Sequence, residues 1–189
     1  NVTTRRKTRS KHEHVVLQIG PHKQLRFQDT RKFGRIFLTT APQTILGKLG
    51  PEPLSRRFTG AGFQKMLQTR KRQIKPLLLD QTFIAGLGNI YVDEALWDAK
   101  LHPNRIAATL SVTEIKELHR AIPKVLKRGL KNLGTSLGTG KTNFYSVAQN
   151  RGRNKDELKV FRRTDRPCPR CKTAIERIIV GQRSTHICR

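Results

Sequence analysis

Acidic residues are scarce in this chain. Asp and Glu number 13 among 189 residues, against 39 Lys and Arg, for a net charge of +26. A surface so unbalanced repels itself unless it meets a polyanion, and nucleic acid is the default partner. Long apolar runs are also missing, which excludes a membrane-spanning helix. An anionic membrane surface is a weaker partner, because no long basic amphipathic helix is present to lie on one. The basic start, "NVTTRRKTRSK", has no apolar stretch behind it, so a secretory signal is not expected. Cysteine is limited to Cys168, Cys171 and Cys188, clustered at one end. That excludes a secreted disulfide framework and favours a reducing, intracellular location. Internal repeats are absent.

Hydrophobic residues make up 35% of the chain, enough for compact cores but not for one large apolar interior. The length suits one large domain or two small ones. "HVVLQIG" and "QLRFQD" flank a turn and predict a β-hairpin, and "FGRIFLTT" predicts a third strand. Two or three strands are marginal alone, so this segment is expected to belong to a larger sheet. Residues 1–11 read as a loop, and "APQTILGKLGPEPLS" reads as a linker.

Helical spacing takes over beyond the linker. Phe63, Leu67, Arg70 and Ile74 mark one helix; Pro76 opens or kinks a short second one; "NIYVDEALWDAK" makes a third. A fourth begins at the capping box Ser111–Glu114, should kink at Pro123 and stops near Gly134. "ELKVFRR" reads as a short strand.

Four stretches carry chemistry. Cys168 and Cys171 have the C-x2-C spacing that aims two thiolates at one metal, and a hairpin turning at Gly181-Gln182 returns Cys188 to them. Structural Zn²⁺ takes four ligands. A cysteine beyond Arg189 is the expected fourth, with His186 as the alternative within the chain. In "AGLGNIYVDEAL", Gly86 and Gly88 permit a tight turn and Asn89 starts a helix. Bare N–H groups and a carboxamide there make a phosphate clamp, or else a packing joint between helices. In "QDTRKFGR", Phe33 beside Arg31 and Lys32 is either a wedge for a base step or a core residue between two solvated cations. His12 and His14 in "KHEHV" suit a strand edge or phosphate contact better than a metal.

Taken in order, "GPEPLS", "KPLLLDQ", "AGLGNIYVDEALW", "HPNR" and "CPRC…VGQRSTHIC" resemble the formamidopyrimidine-DNA glycosylases of bacterial base-excision repair. The resemblance runs from "KHEHV" to the last residue. Endonuclease VIII is the sister family, acting on oxidised pyrimidines; "GLGNIYVDEALW" and "RKFG" favour the purine-lesion branch.

The resemblance implies an α+β fold. Residues 1–50 would be the remnant of an N-terminal β-sandwich, 51–150 a helix–two-turns–helix domain, and 151–189 a truncated zinc-finger β-hairpin. It implies a glycosylase with AP-lyase activity that flips oxidised purines, such as 8-oxoguanine and formamidopyrimidines, out of double-stranded DNA. It also implies Zn²⁺ as cofactor, a monomer, and a DNA-associated place in the bacterial cytoplasm. By match to the family, His12, Arg31 and Lys71 contact phosphates, Asn89 clamps one, and Phe33 is the intercalating wedge. Arg183 grips the backbone and assists elimination, and Cys168, Cys171 and Cys188 bind metal. The family's N-terminal proline nucleophile, its adjacent glutamate and its catalytic lysine have no counterpart in these residues, so the chain alone is expected to be inactive. Lys32 and Thr30 depart from the family's "DPRRFG". The loop wording "GTGKTNFYSVAQNRGRNKDELKVF" departs too, which bears on substrate preference. A catalytically empty, zinc-dependent DNA-binding module is the alternative.

Overall fold

The computed structural model describes residues 2–4 (by backbone), 8, 9, 11–138 and 151–189. The fold is α+β. Contacts divide it into two compact units, Asn1–Thr40 with Gly129–Asp156, and Ala41–Arg128 with Glu157–Arg189.

The first unit holds strands β1 (Val2–Thr4), β2 (Glu13–Ile19) and β3 (Lys23–Gln28), antiparallel in the order β1-β3-β2. The predicted hairpin is β2–β3, with Leu17 opposite Leu25 and Val15 opposite Phe27. Strand β1 falls within residues expected to be a loop; it forms because β3 offers it a free edge. Alternation puts Leu17, Ile19 and Leu25 on one face, where they remain 51%, 48% and 37% exposed. Inside the same sheet Arg26 is buried and bonded to Glu13 at 3.0 Å. "FGRIFLTT" does not form the predicted strand. The Asp29 carboxylate accepts the N–H groups of Arg31 (3.0 Å) and Gly34 (2.6 Å), which rolls the backbone into a loop, and no strand among the described residues pairs with residues 35–40.

In the second unit, α1 (Gln43–Leu46) stands where a linker was expected. Pro42 supplies a helical φ of −58° and lets one turn start. Helix α2 (Gly60–Gln68) is capped by the Thr59 hydroxyl, which accepts the Gly62 N–H at 3.2 Å. It does not continue to Ile74 as the periodicity predicted. Residues 70–74 are drawn out along 105–108 instead: Ala108 N–H donates to Arg70 O, Ala107 N–H to Arg72 O, and Ile74 N–H to Arg105 O. Ile74 then opens α3 (Ile74–Leu78). Pro76 lies in its first turn, where a missing N–H costs nothing.

Helix α4 spans Asn89–Asp98 and α5 spans Val112–Lys131. The capping box is present: Ser111 N–H donates to Glu114 Oε2 (2.7 Å), and Glu114 N–H to Ser111 Oγ (3.2 Å). Phe63, Leu67, Ile74, Leu78, Val92 and Leu118 meet in the core at 1% exposure or less.

"ELKVFRR" is not a strand. The N–H groups of Lys159, Val160 and Phe161 all donate to the carboxylate of Glu94, at 2.9 to 3.1 Å, instead of to a neighbouring strand. The chain then reaches β4 (Glu176–Val180) and β5 (Arg183–Ile187), an antiparallel pair with Val180 opposite Arg183. Gly181 and Gln182 both have positive φ, 54° and 62°, as a two-residue turn of matching twist requires. Gly181 also lies against Pro76, whose Cγ would be 2.8 Å from an added Cβ.

Glu94 has no exposed side-chain surface and also accepts from Arg128 at 2.8 Å. Glu94→Ala strands three N–H groups and a cation, and is expected to cost about 3–5 kcal/mol. Ser111→Ala loses only a cap, about 1 kcal/mol. Denaturant unfolding should rank them so; equal losses would contradict this account of the core.

Candidate nucleic-acid interface and metal centre

The turn before α4 is built by one side chain. Gln81 accepts the Gly86 N–H (2.8 Å) and donates to Leu87 O (3.0 Å), while Gly86 takes φ +80°. Gly88 is the N-cap, and neither a capping side chain nor an acid in the first turn occupies the helix start. The first N–H groups and the positive end of the dipole are therefore available to an anion. The acids of α4 point elsewhere: Asp93 and Glu94 are buried, and Asp98 pairs with Lys124 at 2.7 Å. Asn89 is half-buried. Its Nδ2 donates to Ser184 O at 3.0 Å, and its Oδ1 is buried without a partner.

Ser184 belongs to β5, directly after Arg183. The same carbonyl accepts from Lys75 Nζ at 3.1 Å. Lys75 has no exposed side-chain surface and is paired with the equally buried Asp93 at 2.5 Å. Burial pushes the Lys75 amine below its usual range; Asp93 opposes that, and the nearby Arg183 charge adds to it. Asp93 uses its other oxygen on β5, accepting the His186 N–H at 2.9 Å with His186 Nδ1 at 3.3 Å. Arg183 itself is exposed at the hairpin turn.

Of the predicted contacts, Asn89 and Arg183 are thus brought together. Lys71 lies exposed between α2 and α3; its neighbour Arg72 is taken by Asp80 at 2.9 Å. His12, Arg31 and Phe33 belong to the first unit. Phe33 is 77% exposed, and the Arg31 guanidinium stands 5.5 Å from its ring centre. The Gly34 N–H and the neighbouring amides hold the Asp29 carboxyl below the usual carboxylate range, so the loop is tied to an ionised acid. His14 Nε2 is 2.9 Å from Asp29 O, a strand-edge contact rather than a metal contact. The loop wording over residues 139–150 lies outside the described residues.

The metal centre forms as the spacing predicted. The Sγ atoms of Cys168, Cys171 and Cys188 lie within 4.8 Å of one another, with Cys171 and Cys188 at 3.2 Å. Burial raises the Cys168 thiol, but N–H groups of Cys171, Trp97 and Arg170 outweigh it and bring the pKa to about 6. Burial, then the Cys171 and Cys168 sulfurs, push Cys188 up to about 12. Three soft donors that resist ionising together suit a cation that removes the repulsion, and they fit Zn²⁺. His186 does not supply the fourth ligand: its ring faces Asp93 and packs edge-on to Phe161 at 4.9 Å. Trp97 Nε1–H donates to Cys168 Sγ at 3.4 Å, and the Arg170 guanidinium lies over the Trp97 ring at 4.2 Å.

Sequence reasoning passed over Lys75, Asp93, Glu94 and Trp97. The first three carried a signal, since each charge interrupts an apolar helical face that must be buried.

Fold and site together define a helix–two-turns–helix protein with a zinc hairpin. Residues 49–140 match the formamidopyrimidine-DNA glycosylase H2TH domain, and residues 166–189 match the zinc finger found in FPG and IleRS. The chain is 53% identical over 165 residues to the formamidopyrimidine-DNA glycosylase of Protochlamydia amoebophila, covering 87% of this chain and 60% of that protein. It is 46% identical over 180 residues to the enzyme of Herpetosiphon aurantiacus, covering 94% and 64%. The solved complex of Lactococcus lactis Fpg with DNA containing an abasic site superimposes with a TM-score of 0.87 at 38% identity, covering 99% of this chain and 68% of that one. The chain belongs to the formamidopyrimidine-DNA glycosylase family. It spans about three fifths of the length of the curated relatives it matches.

A protein that also carries the fourth cysteine is expected to bind one Zn²⁺, lost in Cys171→Ser. Because Trp97 is the single tryptophan and bonds a ligand sulfur, chelation should change its fluorescence together with the metal content. Fluorescence that ignores metal removal would contradict the geometry.

Proposed function

We propose that this chain is the DNA-gripping and zinc-bearing part of a glycosylase that removes oxidised purines from double-stranded DNA and cleaves the resulting abasic site. The observation that carries this reading is the open α4 N-terminus with Asn89 joined, through the Ser184 carbonyl, to the exposed Arg183. On a chain of net charge +26, that arrangement suits consecutive phosphates of a backbone. Lys71 adds a further phosphate contact, and His12 and Arg31 hold the backbone from the first unit. Phe33, exposed and flanked by Arg31, is shaped to enter the stack a flipped base has left.

The chemistry needs an amine that attacks the anomeric sugar carbon, expels the base and leaves a Schiff base, from which strand cleavage proceeds by elimination. No group among these residues matches the family's proline amine, so the nucleophile is assigned to a segment outside them. What these residues supply is positioning. Asn89 and the α4 amides fix one phosphate. Arg183 grips the backbone at the lesion and offsets charge that builds on the leaving phosphate. The protein works as a monomer on DNA in the bacterial cytoplasm. Among the described residues no helix is long and apolar enough to cross a membrane.

Borohydride trapping on an 8-oxoguanine duplex tests the reading. A protein extended to include the proline-bearing segment should give a covalent adduct, and residues 1–189 alone should give none. Duplex binding without base release by the extended protein would leave only a binding module.

Log affinity for duplex should fall with log salt at about 0.9 per phosphate contact. Lys71→Ala should lower that slope by about one unit on damaged and undamaged DNA alike. Phe33→Ala should slow base release while sparing undamaged-duplex affinity. Parallel losses in both measurements would deny Phe33 the role of wedge.

A further inference from the structure

We propose that Asp93 is a positioning residue for Arg183: it locks β5 to α4, so that the arginine is presented beside Asn89. This rests on the reading that Arg183 grips a DNA phosphate.

The β4–β5 pair is a two-stranded ribbon. In an antiparallel ribbon, the backbone groups of alternate residues face the outer edge, where no strand satisfies them. Ser184 and His186 are such a pair on β5. Their edge is closed by side chains. Asp93 Oδ2 accepts the His186 N–H at 2.9 Å, while Lys75 Nζ and Asn89 Nδ2 both donate to Ser184 O, at 3.1 and 3.0 Å. Asp93 Oδ1 in turn holds Lys75 at 2.5 Å. One carboxylate therefore fixes both ends of the grip, the His186 amide directly and the Ser184 carbonyl through Lys75. Arg183 is the next residue along the strand, exposed at the turn, so its placement relative to Asn89 is set by the register of this edge.

A carboxylate is needed for the double contact. Asn at this position has one acceptor oxygen and would turn a donor toward either the Lys75 ammonium or the His186 N–H. The side chain does not reach the substrate site, so its effect on DNA must pass through Arg183.

The test uses the extended protein and two variants. One is Asp93→Asn. The other, Lys75→Met with Asp93→Leu, replaces the buried pair by apolar groups of similar size, which such sites tolerate. Zinc content, the salt dependence of duplex affinity, and combination with Arg183→Ala are measured. Both variants should keep zinc and a cooperative unfolding transition, yet lose about one phosphate contact, a slope change of about 0.9. Adding Arg183→Ala should then cause no further loss. Losses that add independently, or an unchanged slope in both variants, would overturn the proposal. So would loss of zinc in both, which would make Asp93 a folding residue. If Arg183→Ala alone leaves the slope unchanged, the phosphate reading of Arg183 fails first and takes this proposal with it. A reduced slope there with a normal slope in Asp93→Asn refutes only the role of Asp93.

Discussion

Two adjacent carboxylates on α4, both fully buried, hold the cysteine hairpin to the helical core. Asp93 takes the edge of β5 and Lys75; Glu94 takes three consecutive amides of the segment entering the hairpin, and Arg128. Successive helix positions point about 100° apart, so two neighbouring acids can seize two different stretches of chain. Buried charges are costly unless their lone pairs are used. Here every carboxylate oxygen of the pair accepts a hydrogen bond. The segment entering the hairpin and the outer edge of β5 are both fastened by these two acids.

The scarcity of acids takes on a structural meaning. Glu13 is paired with Arg26 inside the sheet, Asp80 with Arg72, Asp98 with Lys124, and Glu114 closes the α5 cap with Arg105 nearby. Asp29 organises the loop that displays Phe33. The few carboxylates are largely engaged within the protein, while cations outnumber them threefold on the chain as a whole. The outward potential is therefore positive by construction.

The metal centre shows the same economy. Cys168 is buried among Val160, Ile175 and Trp97, and receives N–H groups that stabilise a thiolate. Cys188, desolvated by burial and crowded by two other sulfurs, resists ionising. A hairpin of two short strands has little core of its own, so ligation supplies cohesion that packing does not. Trp97 and the stacked Arg170 tie that small cluster back to α4.

Local pattern and composition were sufficient for much of this. The charge imbalance, the capping box, the β2–β3 and β4–β5 hairpins and the convergence of three thiols each depend on residues near in sequence or on bulk composition. The sequence by itself determined these, because turns, caps and C-x2-C knuckles are set by neighbouring side chains. Other features were illegible. Residues 70–74 continue a helical period but are pulled straight by residues 105–108; "ELKVF" has a strand's composition but gives its amides to a carboxylate. Apolar "FGRIFLTT" forms no ladder among the described residues, since a strand exists only where a partner lies alongside. Whether the Phe33 ring is covered or displayed, where the His186 ring faces, and which acids are buried were decided only by tertiary structure. Each depends on groups distant in sequence competing for the same hydrogen bonds, and periodicity carries no record of that competition.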